Sequence, residues 1–202
     1  LIRAAHEAGI RVMLDVSINH IGVEHEWAQN VSRDGHTVSV VQHDEDGRVV
    51  NWAGVPELLK LDYSREELRD LVYRREDSVV RRYLAEPFGI DAWRFDVASE
   101  TGNFHANQLA HEVWREVRSA IHEENPDAYV IGEHWHDPRA YLQGDQWDSA
   151  MNYFAAGRAL RMWLGEHDRF ALDPPSSSQA AAGTPAAAGT QAAAGPAAAD
   201  EV

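Results

Sequence analysis

The 202-residue chain carries 18 Lys and Arg against 33 Asp and Glu, a formal net charge of −15, and no cysteine. The acidity is spread along the chain, which argues against a nucleic-acid partner, and the missing cysteine excludes disulfides. No apolar stretch approaches a membrane span in length, so a soluble chain with one substantial core and no membrane partner is expected.

Leu1, Ile2, Ala5 and Ala8 suit one face of a helix, and Gly9 suits the position just past its end. The chain therefore reads as a portion of a longer protein, and targeting is unreadable from it. Arg11 to Ile18 reads as a buried strand with Met13, Asp15, Ser17 and Asn19 on one face and Val12, Leu14, Val16 and Ile18 on the other. Asp15, Asn19 and His20 fall where that strand gives way to a loop, a common place for site residues, although turn chemistry would explain them equally well. Residues 21–62 show no sustained period and form a long excursion, with a short hairpin expected near Asp46-Gly47. Trp27 and Trp52 within it are either sugar-stacking platforms or packing for a small core.

Ser64, followed three residues later by Glu67, predicts a helix carrying Leu68, Leu71, Val72, Val79, Val80, Tyr83 and Leu84 until Pro87. Next comes Gly89-Ile90-Asp91-Ala92-Trp93-Arg94-Phe95-Asp96-Val97-Ala98, around which the chain is organised. Alternation puts Arg94 and Asp96 on one face and Trp93, Phe95 and Val97 on the other, and the apolar surroundings predict burial on both sides. Arg94 would favour the ionised form of Asp96, as a nucleophile or anionic stabiliser requires; a structural ion pair is the alternative. Leu109, Val113, Trp114, Val117 and Ile121 predict a second helix, ended by Asn125-Pro126. Ala128 to Glu133 then delivers another carboxylate at a strand end. A short helix at 138–142, a strand at 148–153 and a helix at 156–164 complete a βαβαβαβα order. Such alternation means a parallel sheet covered by helices, either doubly wound or part of an eight-stranded barrel.

From Asp173 the composition turns to Ala, Gly, Pro, Ser, Thr and Gln, with Ala-Ala-Ala-Gly recurring three times. Residues 173–202 are expected to be a low-complexity, disordered tail, because they hold too little apolar surface to offset the entropy of ordering. Residues 1–172 are expected to form the folded portion.

Carboxylates at like ends of neighbouring parallel strands suit glycoside hydrolysis, where an ionised nucleophile faces a protonated acid roughly 5 Å away. Glu133 has Trp135 close by, an aromatic neighbour expected to limit solvation and keep the acid protonated. His134, His136 and Asp137 give no metal-ligand spacing, since adjacent strand positions diverge.

Asp15-Val-Ser-Ile-Asn19-His20, Gly89-Ile-Asp-Ala-Trp-Arg94-Phe-Asp96 and Gly132-Glu133-His134-Trp135 resemble, in order, three of the four motifs of the α-amylase family. Val55-Pro-Glu-Leu-Leu-Lys60-Leu-Asp62-Tyr63 and Met151-Asn-Tyr153 are most similar to its maltodextrin glucosidase, neopullulanase and cyclomaltodextrinase branch. The resemblance implies an α/β fold, a partial (β/α)8 TIM-type barrel of about strands three to six, with 21–62 as the loop subdomain. It implies Asp96 as nucleophile and Glu133 as general acid and base in a retaining reaction on α-1,4-glucosidic bonds of maltodextrins or related α-glucans. Arg94 would orient Asp96, His20 would contact the reacting sugar, and Asp15, Asn19 and His134 would bind substrate or support the site. No cofactor and no metal are implied; a homodimeric parent and a cytoplasmic location are favoured. Nothing after Tyr153 resembles the fourth motif, which supplies a third carboxylate, so the chain alone is expected to be inactive. A sugar-binding fragment or a transglycosylating relative are the alternatives.

Overall fold

The structure is a computed structural model and describes residues 1–33 and 36–165; the expected tail lies outside the described residues. Helix α1 (Ile2–Glu7) ends at Ala8, and Gly9 takes the left-handed backbone (φ 74°) that returns the chain to the sheet. Strand β1 (Met13–Ser17) follows. The excursion then forms β2 (His20–Gly22), β3 (Val31–Arg33), β4 (His36–Val38) and β5 (Leu58–Lys60). β2 and β5 pair antiparallel, with His20 opposite Lys60. The expected turn at Asp46-Gly47 is present: Gly47 adopts φ 78°, Asp44 and Arg48 are joined through their backbones, and His43 bridges to Val49.

The helix expected from Ser64 to Pro87 is two helices, α2 (Glu66–Arg69) and α3 (Val79–Leu84), joined by a wide turn at Asp70–Arg74 and an extended Arg75. Ser64 does not cap it. Its amide and hydroxyl both donate to Asp62 Oδ1, so the Ser64 side chain closes a turn ahead of the helix. The break falls among Arg75, Glu76 and Asp77, where no apolar side chain holds the chain to the core.

Strand β6 (Ala92–Asp96) is followed by a two-stranded hairpin of β7 (Asn103–Phe104) and β8 (Asn107–Gln108). Then come α4 (Ala110–Glu124), β9 (Tyr129–Gly132), β10 (Ser149–Ala150) and α5 (Arg158–Trp163). The segment at 138–142 is a single 3-10 turn over Arg139–Tyr141, too short to be a helix proper. β1, β6, β9 and β10 form one parallel sheet in that order, so spatial order follows chain order.

The core lies on one side of this sheet. Trp93, Phe95 and Val130 point into it, meeting Val80 and Leu84 of α3 and Val113, Trp114, Val117 and Ile121 of α4. Trp93 Nε1 donates to the Val80 carbonyl (3.2 Å) and Trp114 Nε1 to the Ala98 carbonyl (3.0 Å), which ties each helix to the strand ends. The expectation of a buried strand at 11–18 fails for one face of β1. It is an edge strand whose Met13 is 43% exposed and whose Asp15 side chain is 63% exposed, because no described element covers that face. No helix among the described residues is long and apolar enough to cross a membrane.

Candidate active site

The sheet's other face carries the polar residues, and register decides which of them meet. Asp15 is the partner of Arg94, and Arg94 of Ile131; one step on, Ser17 is the partner of Asp96, while the Glu133 amide donates to Phe95 O (2.9 Å). Asp15, Arg94, Asp96 and Glu133 therefore converge at the C-terminal ends of three adjacent strands. Arg94 joins them. Its Nη1 lies 2.8 Å from Asp15 Oδ1 and 2.8 Å from Asp96 Oδ1, and its Nη2 lies 3.1 Å from Glu133 Oε2. One guanidinium serving three carboxylates needs the fork geometry that lysine lacks.

Beyond Asp96 the chain turns sharply. Val97 has φ 49°, unusual for a β-branched residue and a strain of about 1–3 kcal/mol. The turn directs its amide at Glu133 Oε2 (2.9 Å). Glu133 Oε1 accepts from Trp135 Nε1 (3.3 Å) and from the Tyr153 hydroxyl (3.2 Å). Met151 Sδ lies 3.4 Å from Arg94 Nε.

These contacts reverse the expected order of acidities. Burial and the neighbouring Glu133 raise Asp96, outweighing the pull of Arg94. Burial also pushes Glu133 up, but the Val97 amide, Arg94, the Trp135 indole and Asp96 together hold it below its ordinary value. Trp135 was expected to limit solvation; instead its N–H favours the carboxylate. The two acids titrate as a coupled pair, Asp96 shifted upward and Glu133 downward.

The remaining expected residues divide. His20 stands beside the pair: its ring stacks on Trp52 (centroids 4.7 Å, 12° between planes), and Trp52 lies 6.5 Å from Trp135. Burial pulls the imidazole below its ordinary range, with Asp96 opposing and Lys60 adding. Asn19 is buried and reaches His20 Nδ1 through Nδ2 (3.3 Å). His134 is not brought to the carboxylates. It packs against Tyr141 and Trp147, accepts the His136 amide at Nδ1 (2.9 Å), and burial drives it down to about 4. Trp27 likewise packs against the core, so of the two tryptophans only Trp52 faces the site.

Sequence reasoning missed the Val97 amide, Tyr153, Glu100 and Lys60 as site contacts. Lys60 left one trace, a lone cation among apolar residues 58–61; the strained amide left none, since backbone conformation is not spelled by a valine.

The chain matches the family model "Alpha amylase, catalytic domain" over residues 41–171. It is 35% identical over 176 residues to a cyclomaltodextrinase of Geobacillus thermopakistaniensis, covering 82% of this chain and 28% of that protein. It is 32% identical to neopullulanase 2 of Thermoactinomyces vulgaris (81% of this chain, 27% of that one) and 30% identical to the intracellular maltogenic amylase of Bacillus subtilis (76% and 25%). Among solved structures, a cyclomaltodextrinase superposes with a TM-score of 0.64 at 30% identity, over 82% of this chain and 28% of that one. The cyclic alpha-maltosyl-(1→6)-maltose hydrolase of Arthrobacter globiformis gives 0.62 at 30% (79% and 36%). The chain thus spans just over a quarter of the length of these curated relatives.

Proposed function

The chain belongs to the alpha-amylase family, and from that premise we propose that Asp96 and Glu133 are the nucleophile and acid–base of a retaining glycoside hydrolase acting on α-1,4-glucosidic bonds of maltodextrins or related α-glucans. The observation that carries the reading is the convergence of Asp96 and Glu133 on the single guanidinium of Arg94 at adjacent strand ends. Relatives named cyclomaltodextrinase, neopullulanase and maltogenic amylase support an α-glucan substrate. The sheet contributes four strands of an eight-stranded barrel, about the third to the sixth; strand order following chain order supports this over a doubly wound sheet, where the order reverses. Residues 21–62 serve as its loop subdomain. The intracellular relative in Bacillus subtilis supports a cytoplasmic setting.

The chemistry proceeds in balanced steps. In the reactive state Asp96 is ionised and Glu133 carries the proton. Asp96 then attacks the anomeric carbon as the glycosidic C–O bond breaks, and the leaving oxygen takes the proton of Glu133. Water next loses a proton to Glu133 and displaces Asp96 from the sugar, restoring both groups. Arg94 steadies the carboxylate charge, and Trp52, stacked on His20, offers an apolar face to a sugar ring.

The reversed acidities favour a second reading, a sugar-binding chain without turnover, because the reaction needs the nucleophile ionised and the acid protonated. Reducing-sugar release from maltotriose and maltodextrin by the 202-residue chain, with Asp96→Asn and Glu133→Gln beside it, decides between them. Release that falls about 10³-fold or more in each variant is the hydrolytic outcome. Saturable maltodextrin binding without release replaces it with the second reading, and release indifferent to both substitutions removes both.

A further inference from the structure

Lys60 is buried, with 7% of its surface exposed, and nothing in the reaction just described uses it. Its ammonium donates to Asn19 Oδ1 (2.9 Å) and to the Glu100 carbonyl (3.1 Å). Both partners lead to the site. Asn19 reaches His20 Nδ1, and the Glu100 carboxylate accepts Trp52 Nε1 (3.0 Å). Because Trp52 stacks on His20, the five residues close a ring, with the Glu100 backbone carbonyl as its last link: Lys60, Asn19, His20, Trp52, Glu100 and back to Lys60.

The ring joins the β2–β5 ladder, in which His20 lies opposite Lys60, to the turn after β6. Two contacts reach that turn from the excursion, the Lys60 ammonium on the Glu100 carbonyl and the Trp52 indole on the Glu100 carboxylate, and of these Lys60 also holds Asn19. We propose that Lys60 is a positioning residue for the reaction, holding His20 and Trp52 as a stacked pair beside Asp96 through Asn19 and the Glu100 carbonyl. The inference rests on the proposed hydrolytic site for its purpose, while the placement of His20 is readable without turnover.

The electrostatics run the same way. Burial brings Lys60 down to about 8, with Glu100 opposing, so it is cationic across the whole range in which an imidazole titrates. The groups facing His20 are Asp96, which favours its protonation, and Lys60, which resists it. Burial does most to hold His20 below its ordinary range, and Lys60 adds to it against the pull of Asp96, which favours a neutral imidazole able to hydrogen-bond a sugar hydroxyl.

The test is an NMR titration of the His20 ring in the full chain. In Lys60→Met the His20 midpoint rises by about half a pH unit or more, and the Trp52 emission changes as the stack loosens. Because the chain contains no cysteine, Lys60→Cys can be alkylated there alone with bromoethylamine, which rebuilds an ammonium at nearly the original reach and returns the midpoint toward that of the unaltered chain. The unaltered chain supplies a reading that no variant's folding can spoil: its His20 resonance shows a second inflection near pH 8, where Lys60 loses its proton. A His20 midpoint indifferent to Lys60→Met, or an unaltered chain with no inflection near pH 8, overturns the proposal even if hydrolysis is found. A responsive His20 in a chain that releases no sugar leaves the positioning intact and removes the hydrolytic purpose alone.

Discussion

Arg94 and the strained Val97 amide compete with burial for the charge of two carboxylates, and this competition sets the chemistry of single residues. Sequence spacing makes the pair legible, because a period of two places Arg94 and Asp96 on one face and repeats the trick at Glu133. It does not show which way each acid is shifted, since Val97, Trp135 and Tyr153 all aim a donor at Glu133. His134 teaches the complementary lesson: it neighbours Glu133 in sequence and faces away from it in space, for the same reason of alternation. Its pKa of about 4 lies below the ordinary imidazole value, so the unfolded chain binds a proton there that the folded chain refuses. Stability from this group is therefore complete at neutral pH and lost as pH falls from about 6.5 toward 4, by an amount on the order of 2–3 kcal/mol. His134→Phe keeps a ring against Tyr141 and Trp147 and removes the titration. Urea unfolding at pH 7 and pH 5 should show a smaller drop for the variant than for the unaltered chain; equal drops would contradict the assignment.

Among elements, β6 and α4 follow the sequence most faithfully because each has one dominant period and one buried face. The segment 64–87 does not, because apolar spacing is blind to the charged break at residues 75–77. Nor does β1, whose alternation is right and whose burial is wrong: its apolar residues say which side faces the helices and nothing about whether the other side is covered. A closer constraint sits in β9, where Gly132 lies under Trp147. A Cβ there would come within 2.4 Å of the indole, so the ring or the strand must shift. Since Trp147 also stacks on Tyr141 (4.2 Å, 8°) and meets Trp114 edge-on, it has little freedom to yield. Gly132→Ala should cost about 1–3 kcal/mol of stability and disturb Glu133, one residue on. An unchanged thermal midpoint would show that the indole moves aside at no cost.

For the molecule as a whole, a parallel sheet of four strands leaves two edges, β1 and β10, with no strand partner among the described residues. Sheet edges are templates for association, and Met13 and Ile10, 43% and 59% exposed, add apolar surface beside one of them. The purified chain should therefore unfold over a broad range and associate as its concentration rises, despite a net charge of −15 that opposes contact. Light scattering during a thermal ramp checks this; a sharp, concentration-independent transition from a monomer would contradict it. The family resemblance was legible from three motifs because each ends a strand, where side-chain identity is dictated by chemistry more than by packing. The open edges were legible only from counting strands.

The proposed hydrolysis turns on Asp96 as the group that bonds to the anomeric carbon. Mass spectrometry of the chain carrying Glu133→Gln, after incubation with a fluorinated α-glucosyl fluoride, tests it most directly, because a fluoride leaving group needs no acid and the intermediate cannot be hydrolysed quickly. The account predicts one added hexosyl mass, confined to the peptide that contains Asp96 and absent from an Asp96→Asn counterpart. An adduct on Asp15 or another carboxylate, or one that persists in the Asp96→Asn chain, would contradict it.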